Sequence, residues 1–431
     1  MKTFVGLLFL IFVSIVLNVF NYELFLNFLS ITWFLTSILI IYSGIKYSFK
    51  YKFKQFNLKE FVMAIKSKSK NNISPLSSLC MSLAAKIGVG SLSGVALALY
   101  FGGVGSIFWM CIISLLVSIN TYLECILGIK YREKIGNNFV GGPCFYIKKC
   151  LKNKYIALLY GILIIVTYSG LFLSIQSNTI VNVVSGFKLD VTFVILLLSV
   201  ITFIIINKGS KNIFLVDSIL VPIMLLFYLL IGIYVIINNS ILDIMVNMVK
   251  EGFDLKSIVP VFLIGMQRAI FISESGIGTS AISASACDND ADKQGILEIM
   301  GIHMTTFLVC FVTFIIIVTS DYSSINFGNI NGIEIVLYAF NYHFGNVGKI
   351  ILSIVTIMFA FSTIISGYFF GENNIKLFTN NKFALNIFKW VVILIIILSG
   401  YISPNVLWNL TDYFIAILAI INISSILKIN K

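Results

Sequence analysis

The stretch from Ser74 to Met110, SPLSSLCMSLAAKIGVGSLSGVALALYFGGVGSIFWM, limits what this chain can fold into more than any other. It is apolar and long enough to span a bilayer, yet glycines interrupt it at Gly88, Gly90 and Gly94. In hydrocarbon every peptide N–H and C=O must find a partner, so an unwound segment survives only where it is buried in protein or lines a cavity. A membrane helix broken in this way is the usual pointer to the substrate and cation site of a secondary transporter.

The rest of the chain fits a membrane setting. Of its 431 residues 59% are hydrophobic and 11% charged, too little polar surface for a soluble protein of this length. Apolar runs separated by polar loops predict spans over 3–20, 25–45, 74–101, 104–128, 155–184, 191–207, 213–238, 258–286, 295–319, 346–370, 383–401 and 404–427, with a short outer helix over 333–341. The first of these resembles a signal peptide, but NYELFLNF follows it without a small-x-small cleavage site. It is therefore read as an uncleaved span.

The net charge of +12 would point to nucleic acid in a soluble protein. Here the cations collect in a few loops, which is how a membrane protein sets its orientation, and a nucleic-acid partner is excluded. Loop 46–70 carries eight lysines against Glu60, and loop 130–154 carries Lys130, Arg132, Lys134, Lys148, Lys149, Lys152 and Lys154 against Glu133. With twelve alternating spans these loops and both termini face the cytoplasm. Loop 287–294, with three aspartates and one lysine, runs against the pattern. The seven cysteines lack metal-ligand spacing and read as small buried side chains. No nucleophile–base pair, phosphate loop or metal cluster is visible, so an enzyme is not expected.

The chain breaks a second time. Residues 264–280, IGMQRAIFISESGIGTS, place glycines, serines, Arg268 and Glu274 inside an apolar span, five spans after the first break. Two discontinuous helices in corresponding positions of two five-span halves are the signature of an inverted-repeat transporter. The expected fold is an all-α polytopic membrane protein of five plus five spans with about two extra N-terminal ones. Residues 1–24 form an extra span, 25–72 a peripheral span with its basic loop, and 73–431 the core.

These residues resemble the alanine/glycine:cation symporters, also called sodium:alanine symporters. The resemblance runs through AAKIGVGSLSGVALALYFGGVGSIFWM from Ala84, Glu124 with Tyr131-Arg132, Gly141-Gly142-Pro143, Gln176-Ser177-Asn178, Val221-Pro222 and FISESGIGTS from Phe271. It continues through Gln294-Gly295, FAFSTI at 359–364, Gly371-Glu372, and Trp408 before Asp412. It implies sodium-coupled uptake of a small neutral amino acid at a bacterial plasma membrane, on the inverted-repeat fold. Proton coupling, another solute, or a transport-deficient sensor remain alternatives, and the oligomeric state is not fixed.

The resemblance and the breaks together nominate a site. Ile87, Gly88, Gly90, Ser91, Gln176, Ser273, Thr363 and Gly367 are expected around the substrate. Ser362 and Thr363, with main-chain carbonyls at Lys86 and Val89, make a hard-oxygen shell suited to sodium; the competing reading is that the two hydroxyls back-bond to their own helix. Gln176 is a pocket residue or a helix–helix tether. Lys86 is expected to pair with Glu124 or Glu274, or to attract a carboxylate; Arg268 and Glu274 are gating charges or a structural pair. Ser91, Ser273, Thr305, Val104 and Gly367 stand where the family has Asn, Asn, Asp, Pro and Trp. The absent indole at Gly367 predicts a roomier pocket, unless another group fills the space.

Overall fold

The structure is a computed structural model and describes residues 22–66, 73–136, 138–185, 187, 190–322 and 332–430. The expected span over 3–20 lies outside the described residues. The other eleven spans are all helical, with boundaries within a few residues of the hydropathy pattern. Apolar surface facing lipid explains the many exposed Leu, Ile and Phe side chains along α1 (Tyr22–Lys50) and the later helix Ser210–Ile237.

A short helix, α2 (Leu58–Ile65), follows in the basic loop, capped by the Asn57 side chain accepting from the Glu60 amide. The first core span starts with α3 (Pro75–Lys86), where Ser74 caps the Ser77 amide and Pro75 occupies the first turn. The helix stops at Ile87, passes through a short 3₁₀ turn at Val89–Ser91, and resumes as α4 (Ser93–Lys130). α4 is two spans joined at Gly103, whose φ of 65° turns the chain back into the membrane.

An antiparallel hairpin, β1 (Glu133–Ile135) and β2 (Asn138–Val140), and α5 (Pro143–Cys150) fill the second basic loop. Then come α6 (Lys154–Val166) and α7 (Leu173–Ser185), joined by a π-helical turn over Thr167–Phe172. α8 (Val191–Asn207) and α9 (Ser210–Ile237) complete the first half.

After α10 (Leu242–Gly252), the second half opens with another broken span: α11 (Ile258–Ser273) and α12 (Thr279–Ala286). α13 (Ala291–Met304) and α14 (Phe311–Val318) flank a second π turn, Thr305–Cys310. α15 (Gly332–Phe344) is the short outer helix, and α16 (Gly348–Ile375), α17 (Lys382–Ser399) and α18 (Pro404–Ile429) end the fold.

The acidic loop 287–294 finds its place here. Arg132 reaches Asp288 at 2.9 Å, and Lys54 pairs with Asp292. The aspartates are counterions to the two basic loops, so all three lie on one side of the molecule. Burial works against the charge of Lys54, yet Asp292 and Tyr122 beside it hold its pKa above the ordinary lysine value.

Candidate substrate and cation site

At the first break the chain comes within touching distance of two other helices. A Cβ on Gly88 would lie 2.6 Å from the Thr363 Oγ1 of α16 and 3.0 Å from the Gln176 Oε1 of α7. Only glycine allows that approach. Gln176 Oε1 accepts from the Val89 amide at 2.9 Å, so a side chain serves a donor that the interrupted helix cannot. The Ser91 hydroxyl donates to the Gly88 carbonyl at 2.7 Å, and the Ser91 carbonyl accepts from Thr313 of α14. Ile87 and Gly90 are buried in the same turn, with a Cβ on Gly90 only 2.8 Å from the Phe271 ring.

The Thr363 hydroxyl sits 2.7 Å from the Ala84 carbonyl and 2.9 Å from the Phe359 carbonyl. Its single proton can serve one of them at a time. Ser362 shares the Phe359 carbonyl at 2.9 Å and has Met224 Sδ of α9 at 3.7 Å. Two hydroxyls and the Phe359 carbonyl of α16 thus gather near the Ala84 carbonyl of α3, which Thr363 reaches directly. All are hard oxygen donors of the kind an alkali cation takes. Both hydroxyls back-bond to the Phe359 carbonyl of their own helix, Thr363 while also facing α3 and Ser362 while facing α9. The carbonyl that Thr363 meets belongs to Ala84; Lys86 and Val89 are neighbours in the same turn.

Lys86 pairs with neither expected partner. Its Nζ lies 3.2 Å from Glu298 Oε2 of α13, with the Ser82 hydroxyl at 2.6 Å and the Ser280 hydroxyl at 2.8 Å, and both charged side chains are fully buried. The helical registers aim it that way: Ser82 is one turn back on α3, and Ser280 opens α12. A cation at the last turn of α3 also suits the helix dipole. Lys86 therefore ties the inner half of the first broken span to the inner half of the second.

Glu274 takes a left-handed conformation, φ 52°, and accepts from Thr279 across the second break at 2.6 Å. Glu124 accepts from Asn422 at 2.7 Å, and Asn422 also donates to the Gly276 carbonyl. Tyr160 donates to the Ile277 carbonyl, and Ser275 to the Val117 carbonyl. The Ser273 hydroxyl accepts from the Ser275 amide.

Arg268 does not pair with Glu274. It meets Asp412 of α18 at 2.5 Å, and Gln267 donates to the same carboxylate oxygen. Above this pair is a cavity of about 750 Å³, lined by Tyr22, Tyr100, Phe101, Gln267, Trp408 and Asn409 among others. It lies at the end of the bundle away from the basic loops. Phe271 packs at a tilt against Trp408 with centroids 5.3 Å apart, and the Arg268 guanidinium lies 5.3 Å from the Phe271 ring. Since Phe271 also touches Gly90, these side chains form a floor between the cavity and the first break.

Gly367 does not open a pocket. A Cβ there would lie 2.9 Å from the Tyr168 carbonyl, and Ser169 donates to the Gly367 carbonyl at 2.8 Å. The π turn over Thr167–Phe172 brings its main chain into the space where an indole was expected.

Sequence reasoning missed Ala84 and Phe359, whose carbonyls face Thr363 and could come from any residue type. It also missed the pairings of Glu298 and Asp412, though both were visible as intramembrane acids, a standing signal for function.

Two broken spans around a hydroxyl–carbonyl shell, beneath a cavity closed by an ion pair, define a membrane transporter rather than an enzyme. The chain belongs to the sodium:alanine symporter family, whose match covers residues 18–431. It is 30% identical over 397 residues to the amino-acid carrier protein AlsT of Bacillus subtilis, covering 89% of this chain and 84% of that one. It is likewise 30% identical over 408 residues to the probable sodium/glutamine symporter GlnT of the same organism, covering 91% and 85%. Among solved structures, MhsT in complex with L-phenylalanine superposes with a TM-score of 0.61 at 14% identity, over 83% of this chain and 89% of that one. That likeness establishes the fold.

Proposed function

We propose that this chain is a sodium-coupled importer of a small neutral amino acid that works by alternating access. The observation that carries the reading is the meeting of Gly88, Gln176 and Thr363 at the first break, beside the Ala84 and Phe359 carbonyls. Sodium takes its ligands from Ala84, Phe359, Ser362 and Thr363. The substrate carboxylate lies on the amide side of the turn from Gly88 to Ser91, where the start of α4 presents the positive end of its dipole. Gln176 holds that turn in shape through the Val89 amide. Phe271 faces it from the second break.

The cavity over Arg268, Asp412 and Trp408 is the outer vestibule, and the Arg268–Asp412 pair with the Phe271–Trp408 contact is the outer gate. Lys86, Glu298 and Ser280 seal the inner side. Bound sodium favours the loaded, closed arrangement because α3 and α16 both contribute ligands to it, and one bundle then rocks against the other.

The chain sits in a bacterial plasma membrane with its basic loops and both termini cytoplasmic. A C-terminal reporter active only in the cytoplasm checks this orientation and is expected to work. The function is tested by uptake into proteoliposomes with a panel of neutral amino acids. An inward sodium gradient is expected to drive uptake of at least one, and collapse of a proton gradient to leave it unchanged. Uptake driven by protons alone replaces the coupling ion. Binding without uptake under any gradient turns the reading towards a sensor.

A further inference from the structure

Asp217 of α9 has no part in the site described above. It is fully buried, and neither of its carboxylate oxygens has a hydrogen-bond partner. No lysine or arginine forms an ion pair with it among the described residues. An intramembrane carboxylate left this way is costly and points to a function.

Contacts on three helices fix its depth. On α9 it lies seven residues before Met224, on the same face and about 10 Å nearer the basic-loop side. Met224 is the residue that touches Ser362. On α16, Phe369 lies seven residues beyond Ser362 in the same direction, and its ring packs against Phe214, less than a turn from Asp217, with centroids 5.0 Å apart. On α3, Cys80 interacts electrostatically with Asp217 and stands one turn before Ala84. Asp217 is thus bracketed by the same three helices that surround the hydroxyl–carbonyl shell, two turns further in.

We propose that Asp217 is the transit ligand for the coupling cation on its way from the Ala84, Phe359, Ser362 and Thr363 shell to the basic-loop side. Two uncommitted carboxylate oxygens offer a hard cation replacement for the water it lacks at that depth. The partly exposed Cys80 beside it marks where α3 leads out towards the loops. This inference rests on the sodium-coupled reading.

The test uses purified full-length protein and ²²Na⁺ as the probe. Equilibrium ²²Na⁺ binding is measured in detergent, and the initial rate of ²²Na⁺ influx in proteoliposomes with the amino acid that the panel identifies. Asp217→Asn is expected to bind ²²Na⁺ within about threefold of the parent affinity while influx falls at least tenfold. Asp217→Glu, which restores a carboxylate, is expected to recover most of the rate. If the Asn variant does not purify as a single species, Asp217→Ser replaces it.

Several results overturn the assignment. Influx at the parent rate in Asp217→Asn removes Asp217 from the path. A tenfold loss of equilibrium binding makes it part of the shell rather than a transit ligand. Equal slowing in the Asn and Glu variants makes its role packing. Sodium-independent uptake driven by a proton gradient and lost in Asp217→Asn makes it a proton carrier. Failure of the parent protein to bind ²²Na⁺ in detergent or to couple influx to any amino acid of the panel overturns the sodium-coupled reading itself.

Discussion

The two helix breaks satisfy their main chains in different ways. At the second break, between Ser273 and Thr279, neighbouring helices send in donors for the loose carbonyls: Tyr160 serves Ile277, and Asn422 serves Gly276. Glu274 is locked in a left-handed conformation and bridged to Thr279. At the first break, between Lys86 and Ser93, Gln176 and Thr313 steady the turn, and the Ala84 carbonyl just before it faces a Thr363 hydroxyl that also faces the Phe359 carbonyl. The loose carbonyls of the second break are thus each served by a side chain of another helix, whereas the Ala84 carbonyl beside the first shares its hydroxyl donor with Phe359. The proposed cation site lies at the first break, with the second as its fixed counterpart.

The contrast can be broken at several points. The largest effect is expected where the breaks are tied together. Glu298→Gln leaves the Lys86 ammonium buried without its counterion, a loss on the order of 3–5 kcal/mol. Thermal unfolding in detergent should show it as a steep fall in Tm, whatever the sodium concentration. Next is the second break itself. Asn422→Leu strands the Gly276 carbonyl and Glu124, costing roughly 2–3 kcal/mol. If the second break is structural, Tm drops while half-maximal sodium activation of the surviving protein stays within about twofold. A large shift in sodium activation would erase the distinction between the breaks.

At the first break, Gln176→Leu removes the acceptor for the Val89 amide, worth roughly 1–3 kcal/mol. Because that turn is proposed to carry the substrate, the loss should appear mainly in KM for the amino acid, about tenfold, and less in Tm. The smallest effect is expected at the surface. Lys54→Gln breaks the pair with Asp292, whose side chain is half exposed, and costs under about 1 kcal/mol, read as a minor shift in Tm.

Much of this architecture was legible in the sequence. Hydropathy marks the spans because bilayer thickness sets their length. Glycines mark the breaks because Gly88 must pass within contact of Thr363 and Gln176. The pairings were not legible. Lys86 had Glu124, Glu274 and Glu298 within the membrane, and only the relative rotation of α3 and α13 selects Glu298. Arg268 and Asp412 both stand in recognisable motifs, yet their meeting depends on how α11 packs against α18. The acidic loop 287–294 defied a charge rule that counts loops one by one, because its partners Arg132 and Lys54 come from two others. Gly367 misled for a related reason. A missing indole reads as space, but the π turn fills it with the Tyr168 main chain, which no side-chain pattern announces.

The central claim is that the first break binds the coupling cation through Thr363 and its facing carbonyls. Its most direct test is the sodium dependence of uptake in proteoliposomes, with the amino acid that the panel identifies, for Thr363→Ala compared with Thr363→Ser. The account predicts that Ala raises the sodium concentration for half-maximal uptake at least tenfold at saturating substrate, while Ser, which keeps the hydroxyl, stays within about threefold of the parent. Sodium activation unchanged in Thr363→Ala would contradict it.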